Sequence, residues 1–358
     1  MSEANPEMIV LARESRAVSQ RDLAEKLGIT QAALSKIEAG IIGVSDVLLR
    51  KFSEALHYPP TFFFQQELRL GLGPSELYHY RKRAKLSKKV LDAFHAQLTI
   101  RRMQLRGLLA SVDIEAHAPF PRLDVDEFGD PAEVARALRA MWHVARGPMR
   151  SITKVIEDAG GIVVHFRFGS ELIDAISRNV PGVPPLFFMN PDVGGARYRY
   201  TLAHELGHMV MHAVPNPKME DEANEFAAEF LMPADDIRPM LTGLSVAKLA
   251  SLTPYWRVSM AAILKRAADL KKLSVRAERS LWIAMAAAGY TKKEPVELDF
   301  PVEEPSLLSA IIDTHVSRLG YDAEQLAQVV HLFADELAAT YPLGQRGFRV
   351  VKGSKTIA

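Results

Sequence analysis

The chain of 358 residues contains no cysteine. That excludes disulfide frameworks, thiolate metal sites, iron–sulfur clusters and cysteine nucleophiles. It has no apolar run near the roughly 18 residues that span a bilayer. Its opening residues, MSEANPEMIV, lack a secretory layout, so a cytoplasmic protein with no membrane partner is expected. It also lacks an excess of one charge: 44 Lys and Arg stand against 43 Asp and Glu, a net of +1. Nucleic-acid binding would therefore have to come from local basic clusters. Internal repeats and low-complexity tracts are missing too. What remains is an ordinary globular composition, 48% hydrophobic and 24% charged, with enough chain for two or three domains.

Punctuation and composition divide the chain into four parts. Residues 1–66 read as short helices with tight turns, closing at Tyr58-Pro59-Pro60. Residues 67–147 read as a basic helical connector; between 67 and 107, ten Lys or Arg face three acids. Residues 148–275 mix strands with helices. Ile162–Phe166 follows two glycines and Leu186–Met189 follows two prolines, and both are rich in β-branched or aromatic residues, the mark of a strand. Helices are expected over 197–213 and 218–232. Residues 276–358 read as a helical tail, with a Pro/Glu-rich linker at 294–305.

Within the first part, SQRDLAEKLGITQAALSKIEA (residues 19–39) has the spacing of a helix-turn-helix. Ser19 and Thr30 suit helix N-caps. Gly28 suits the turn, because it accepts positive φ without steric cost. Leu23 and Leu27 share a face that Leu34 and Ile37 can cover, and Ala24 is small where the helices meet. The N-terminal part of such a second helix enters the major groove of DNA. The DNA-binding candidates are Gln31, Ala32, Ser35 and Lys36, with Thr30 at the cap and Gln20 on the first helix. Gln31 suits adenine and Ala32 a thymine methyl; Gln20 and Lys36 suit phosphates. Residues 1–66 carry seven basic and eight acidic residues, so attraction to phosphate is weak and a protein-binding helical hairpin is the competing reading. The pattern resembles the Cro/repressor-type XRE family over about residues 6–64, which implies a double-stranded operator read by a homodimer.

The strongest chemical signal is Thr201-Leu202-Ala203-His204-Glu205-Leu206-Gly207-His208. On a helix, HExxH sets the two histidines about 40° apart and about 6 Å along the axis, close enough to share one ion. Glu205, beside the first ligand, is placed to act as the catalytic base. The bland alternative is a helix carrying two histidines with no ion. A third ligand is sought in the next helix, KMEDEANEFAAEFLMP. At 100° per residue, Glu220, Ala223, Asn224, Ala227, Phe230 and Leu231 form one face, while Glu222, Glu225 and Glu229 fall opposite. The small apolar face can pack on the HExxH helix, which selects Glu220 as ligand and Asn224 as a partner orienting one histidine. His212 lies roughly 12 Å of helix rise from His204, too far to share its ion, and is given a bland surface or core role.

The run RYRYTLAHELGHMVMH, with E-x-x-A-N-x-F-A-A-x-x-L-M-P from Glu220 to Pro233, resembles the ImmA/IrrE metallopeptidases over about residues 75–275. The resemblance implies metal ligands at His204, His208 and Glu220 and a catalytic carboxylate at Glu205. Zn²⁺ is the expected ion, with Mn²⁺ the alternative; two imidazoles and a carboxylate suit zinc. It further implies an endopeptidase that cleaves an XRE-type repressor in stress-response, mobile-element or toxin–antitoxin switches. Here the repressor-like and peptidase-like parts share one polypeptide, so the substrate could be another protein or the chain itself. The alternative is a non-catalytic DNA-binding regulator or antitoxin whose peptidase-like domain binds a partner or signal.

Two further features are weighed. Tyr198 and Tyr200, at the start of the HExxH helix, are candidate oxyanion donors or plain core residues. The aromatic-then-basic run over 78–89 is a candidate single-stranded DNA contact or a solvated helix start. The expected fold is α+β and predominantly α: a five-helix-type XRE domain, a zincin-like domain with a small β-sheet, and a helical tail.

Overall fold

In the computed structural model, the residues described are 4–66, 87–118, 120–168, 173–179, 182–291 and 294–341. They are mainly helical with one small sheet. The basic run over 78–89 lies outside them except for Ser87, Lys88 and Lys89, which are exposed. No helix among the described residues is long and apolar enough to cross a membrane. The chain forms two compact units.

The first unit gathers residues 4–66, 87–114 and 308–341. Its N-terminal part holds α1 (Pro6–Ser15), α2 (Gln20–Leu27), α3 (Gln31–Glu38) and α4 (Asp46–Leu56). Each begins on a side-chain cap: Asn5, Ser19, Thr30 and Ser45 accept from the first-turn amides. The fifth position is a 3₁₀ turn, Pro60–Phe64. Met8, Ile9, Leu23, Leu27, Leu34, Ile37, Phe52 and Phe62 form the core. Gly28 adopts φ +70°, ending α2 in the left-handed region and releasing the chain toward α3.

The same unit adds α5 (Lys88–Leu109), which packs along α1, and three C-terminal helices, Leu307–Ser317, Ala323–Val329 and Ala334–Thr340. Arg16 pairs with Glu336 at 2.7 Å. The Tyr341 hydroxyl donates to Gln104 Oε1 at 2.7 Å. Side chains far apart in sequence thus tie the C-terminal helices to the N-terminal ones.

The second unit, residues 115–307, surrounds one hydrophobic core. It contains α6 (Pro131–Met141), α7 (Ile152–Asp158), β1 (Ile162–His165), β2 (Ala175–Arg178) and β3 (Leu186–Met189). The sheet order is β1-β3-β2, with β1 parallel and β2 antiparallel to β3. Then come α8 (Gly195–Met211), α9 (Met219–Leu231), α10 (Val246–Trp256), α11 (Met260–Asp269) and α12 (Val275–Ala287). Helix α8 lies on the sheet by one face and against α9 by another, while α6 covers the far side of α9.

Strands β1 and β3 fall where the sequence predicts them; β2 does not appear in that reading. Ala175-Ile176-Ser177-Arg178 carries one β-branched residue, and its four side chains are buried because β3 and α8 enclose them. Tertiary packing outweighs local preference here.

The Pro/Glu-rich stretch expected as a linker is strapped onto the unit near the start of α7. Glu303 is buried, ion-paired with Arg199, and accepts from the Ser151 hydroxyl at 2.7 Å and the Thr153 amide at 2.8 Å. Glu157 in turn accepts from the Ser306 and Leu307 amides, each at 2.9 Å. A side chain at Gly195 would drive its Cβ into the Phe300 carbonyl oxygen, so the strap needs glycine there.

Candidate metal centre

Helix α8 must bury its apolar side and still present polar groups, and its partner α9 makes that geometry work. The two helices approach closely at Gly207: an added Cβ would sit 3.0 Å from Phe226 Cδ1 and 3.4 Å from the Ala223 Cα. Ala223 and Ala227 are completely buried in this contact. The small face of α9 therefore meets α8, and Glu220, in the first turn of α9, is carried beside both histidines.

The structure brings His204, His208 and Glu220 together, with one donor atom from each within 4.8 Å of the others. The two Nε2 atoms are 2.9 Å apart. Glu220 Oε2 lies 3.5 Å from His204 Nε2, and Oε1 lies 3.2 Å from His208 Nε2.

The outer partners of the rings decide which nitrogens face the centre. His204 Nδ1 is 3.2 Å from Asn224 Oδ1, an acceptor, so Nδ1 carries the proton. His208 Nδ1 is 2.9 Å from His212 Nδ1. His212 Nε2 is 2.9 Å from Glu222 Oε2 and donates to that carboxylate. Burial first, and then the nearby His208, lower the His212 imidazole below its ordinary value, while Glu222 works to raise it. With one ring proton spent on Glu222, His212 offers a lone pair at Nδ1, and the proton shared by the two rings is then the one on His208 Nδ1. Both Nε2 atoms then point lone pairs into the same space as the carboxylate. Moreover, Glu220 Oε1 is buried without a well-aligned hydrogen-bond donor. Three electron-rich atoms converging with no proton between them suit a small divalent cation.

Glu205 stands outside that trio. It is 1% exposed and accepts from the Ser177 hydroxyl on β2 at 2.6 Å. Ser177 escapes sequence reasoning because it sits on the strand that reasoning omits.

The two tyrosines do not present free donors. Tyr198 is fully buried with its hydroxyl 3.2 Å from His165 Nε2. Tyr200 donates to the Asn224 carbonyl at 3.2 Å; burial pushes its phenol up to about 12. In this structure one hydroxyl is enclosed in the core and the other donates to backbone.

His212 also departs from its bland expectation. It lies two turns along the helix from His204, yet it is the i+4 neighbour of His208 and touches its outer nitrogen. The HxxxH repeat itself was the signal. Glu222 and Glu229, on the α9 face opposite Glu220, are both paired, Glu222 with His212. Glu229 is buried between Arg266 and Arg136.

In the first unit, Thr30, Gln31, Ala32, Ser35 and Lys36 are exposed along the N-terminal part of α3, with Leu34 and Ile37 buried beneath. Gln20 is differently employed: its Nε2 donates to Glu38 Oε2 at 2.7 Å. Glu38 also receives Arg13 Nε at 2.6 Å, so it fastens α1, α2 and α3 together.

Comparison with known families locates both units. Residues 9–63 match the helix-turn-helix family, and residues 157–268 match the IrrE N-terminal-like domain of the M78 peptidases. No curated protein matches the chain.

Proposed function

We propose that this fusion of a helix-turn-helix domain with an M78 peptidase-family domain is a DNA-binding regulator whose second unit is a zinc endopeptidase, cleaving a repressor-type protein or its own chain. The convergence of His204, His208 and Glu220 carries the reading. Ligands held at about 2.0–2.1 Å by a tetrahedral zinc ion lie about 3.3 Å from one another. The three separations of 2.9, 3.5 and 3.2 Å bracket that value.

When bound, zinc would supply Lewis acidity and lower the pKa of a coordinated water. The remaining work falls to side chains. Glu205, buried beside the first ligand, takes the proton of the attacking water and returns it to the nitrogen of the leaving amine. Ser177 Oγ donates to Glu205 Oε2 and fixes the direction of that carboxylate until substrate arrives. Asn224 holds the His204 ring with Nε2 inward.

In the first unit, the exposed end of α3 is the surface for an operator, with Gln31, Ala32 and Ser35 toward bases and Lys36 toward phosphate. Binding as a homodimer to paired half-sites follows from how such motifs dock.

The test compares proteins cut in cells producing the parent or Glu205→Gln. Cleavage products present with the parent and missing with the variant, at equal metal content, support the peptidase. A variant that regulates its target genes as well as the parent overturns it and leaves a partner-binding module.

A further inference from the structure

The two histidines of the centre are held by unlike means. His204 leans on an amide oxygen, Asn224 Oδ1. Behind His208 stands a chain of two groups, His212 and then Glu222, with both links at 2.9 Å. His212 is 4% exposed and Glu222 partly buried. Asn216, in the Pro215-Asn216-Pro217 turn between α8 and α9, donates to the same Glu222 oxygen at 3.3 Å. We propose that His212 and Glu222 are positioning residues for the metal centre: a carboxylate–imidazole relay that fixes the His208 tautomer and turns its Nε2 toward the ion. The proposal rests on the metal reading given above.

Hydrogen-bond chemistry sets the direction of the relay. An ionised carboxylate only accepts, so the Glu222 end requires a proton on His212 Nε2. The His208–His212 nitrogen pair, 2.9 Å apart on the side of the ring away from Glu220 and with no place for a cation between its members, shares one proton. If His212 supplied it as well, that buried ring would be an imidazolium, and His208 would accept at Nδ1 and carry its own proton on Nε2, pointing at Glu220 and closed to metal. If His208 supplies it, Nε2 is a free lone pair. Glu222 thereby stabilises the arrangement in which His208 can ligate, and polarisation along the two bonds makes that nitrogen a better donor.

The fold gives the relay its parts. Residues 204, 208 and 212 lie one turn apart on one side of α8, and the helix ends at His212. Glu222 sits on α9 two residues beyond the ligand Glu220. The hairpin that delivers the third ligand therefore also delivers the end of the relay, and neither can shift without the other.

Chelator competition on the full chain tests this, with zinc affinity as the readout and the melting temperature of the metal-free chain as the control. His212→Ala is expected to weaken zinc binding by about 10–100-fold. His212→Asn, whose amide oxygen occupies the Nδ1 position, should recover part of that loss. Glu222→Gln should fall between His212→Asn and the parent. Cobalt substitution should give visible absorption bands that shift in His212→Ala, reporting a changed ligand field independently of catalysis. Binding by His212→Ala within twofold of the parent, with unchanged cobalt bands, overturns the relay alone. Equal losses for His212→Ala and His212→Asn, tracking a lowered melting temperature without metal, overturn it in favour of plain packing. A parent that binds neither metal overturns the metal reading, and the relay with it. Should His212→Ala not fold, Glu222→Gln and the cobalt spectrum decide alone.

Discussion

Helix α3, the candidate operator-reading helix, and helix α8, the candidate metal-bearing helix, solve opposite problems. Along α3 the functional candidates Gln31, Ala32, Ser35 and Lys36 face solvent, and only Leu34 and Ile37 beneath them hold the helix in place. Along α8 every functional group is enclosed and engaged. His204 meets Asn224, His208 meets His212, and Glu205 meets Ser177. A surface that recognises an outside partner keeps its polar groups in water, where leaving them unpaired costs little. A centre that must gather two imidazoles and two carboxylates out of water must partner each one. Function and stability are therefore separable in the first unit and entangled in the second.

The largest effect that can break this contrast is chemical. Glu205→Gln should lower cleavage by about 10²–10⁴-fold while keeping the metal, since one general base contributes about that much; product formation at matched metal content measures it. Next is the buried ion pair that steadies α9. Glu229→Ala strands Arg266, whose side chain is 5% exposed, and should cost about 3–5 kcal/mol in urea unfolding. Smaller still is Gly207→Ala. The helix gains about 1 kcal/mol of propensity, but a methyl 3.0 Å from Phe226 Cδ1 costs about 1–3 kcal/mol of overpacking. A net loss of about 1 kcal/mol, with weakened zinc binding, is expected from the same melts and titrations. At the far end, Gln31→Ala should leave stability within about 0.5 kcal/mol and weaken operator binding by about 1–3 kcal/mol. A large stability loss there would erase the difference between the two regions.

Much of this was legible in the chain because it rests on short-range periodicity. HExxH, the small face Ala223 and Ala227, and the caps Ser19 and Thr30 are local patterns, and local patterns fix which groups share a helix face. Groups that act through tertiary contact were not legible. Ser177 belongs to a strand with little β preference. Glu222 lies opposite Glu220 on α9, and only the end of α8 at His212 brings a ring to it. Gln20 reads from its position as a phosphate contact, and no local pattern reveals that Glu38, eighteen residues on, accepts from its amide. The 294–305 stretch has the composition of a linker, yet Glu303 and Glu157 pin its end with hydrogen bonds that composition does not reveal.

The most direct test is the metal content of the purified full-length chain, followed by competition with a chelator. One zinc ion per chain in the parent, reduced to background in Glu220→Ala while that variant remains folded, is the predicted result. A parent that takes up no divalent cation, or a Glu220→Ala variant that retains it at full affinity, would contradict the claim that α8 and α9 build a metal centre.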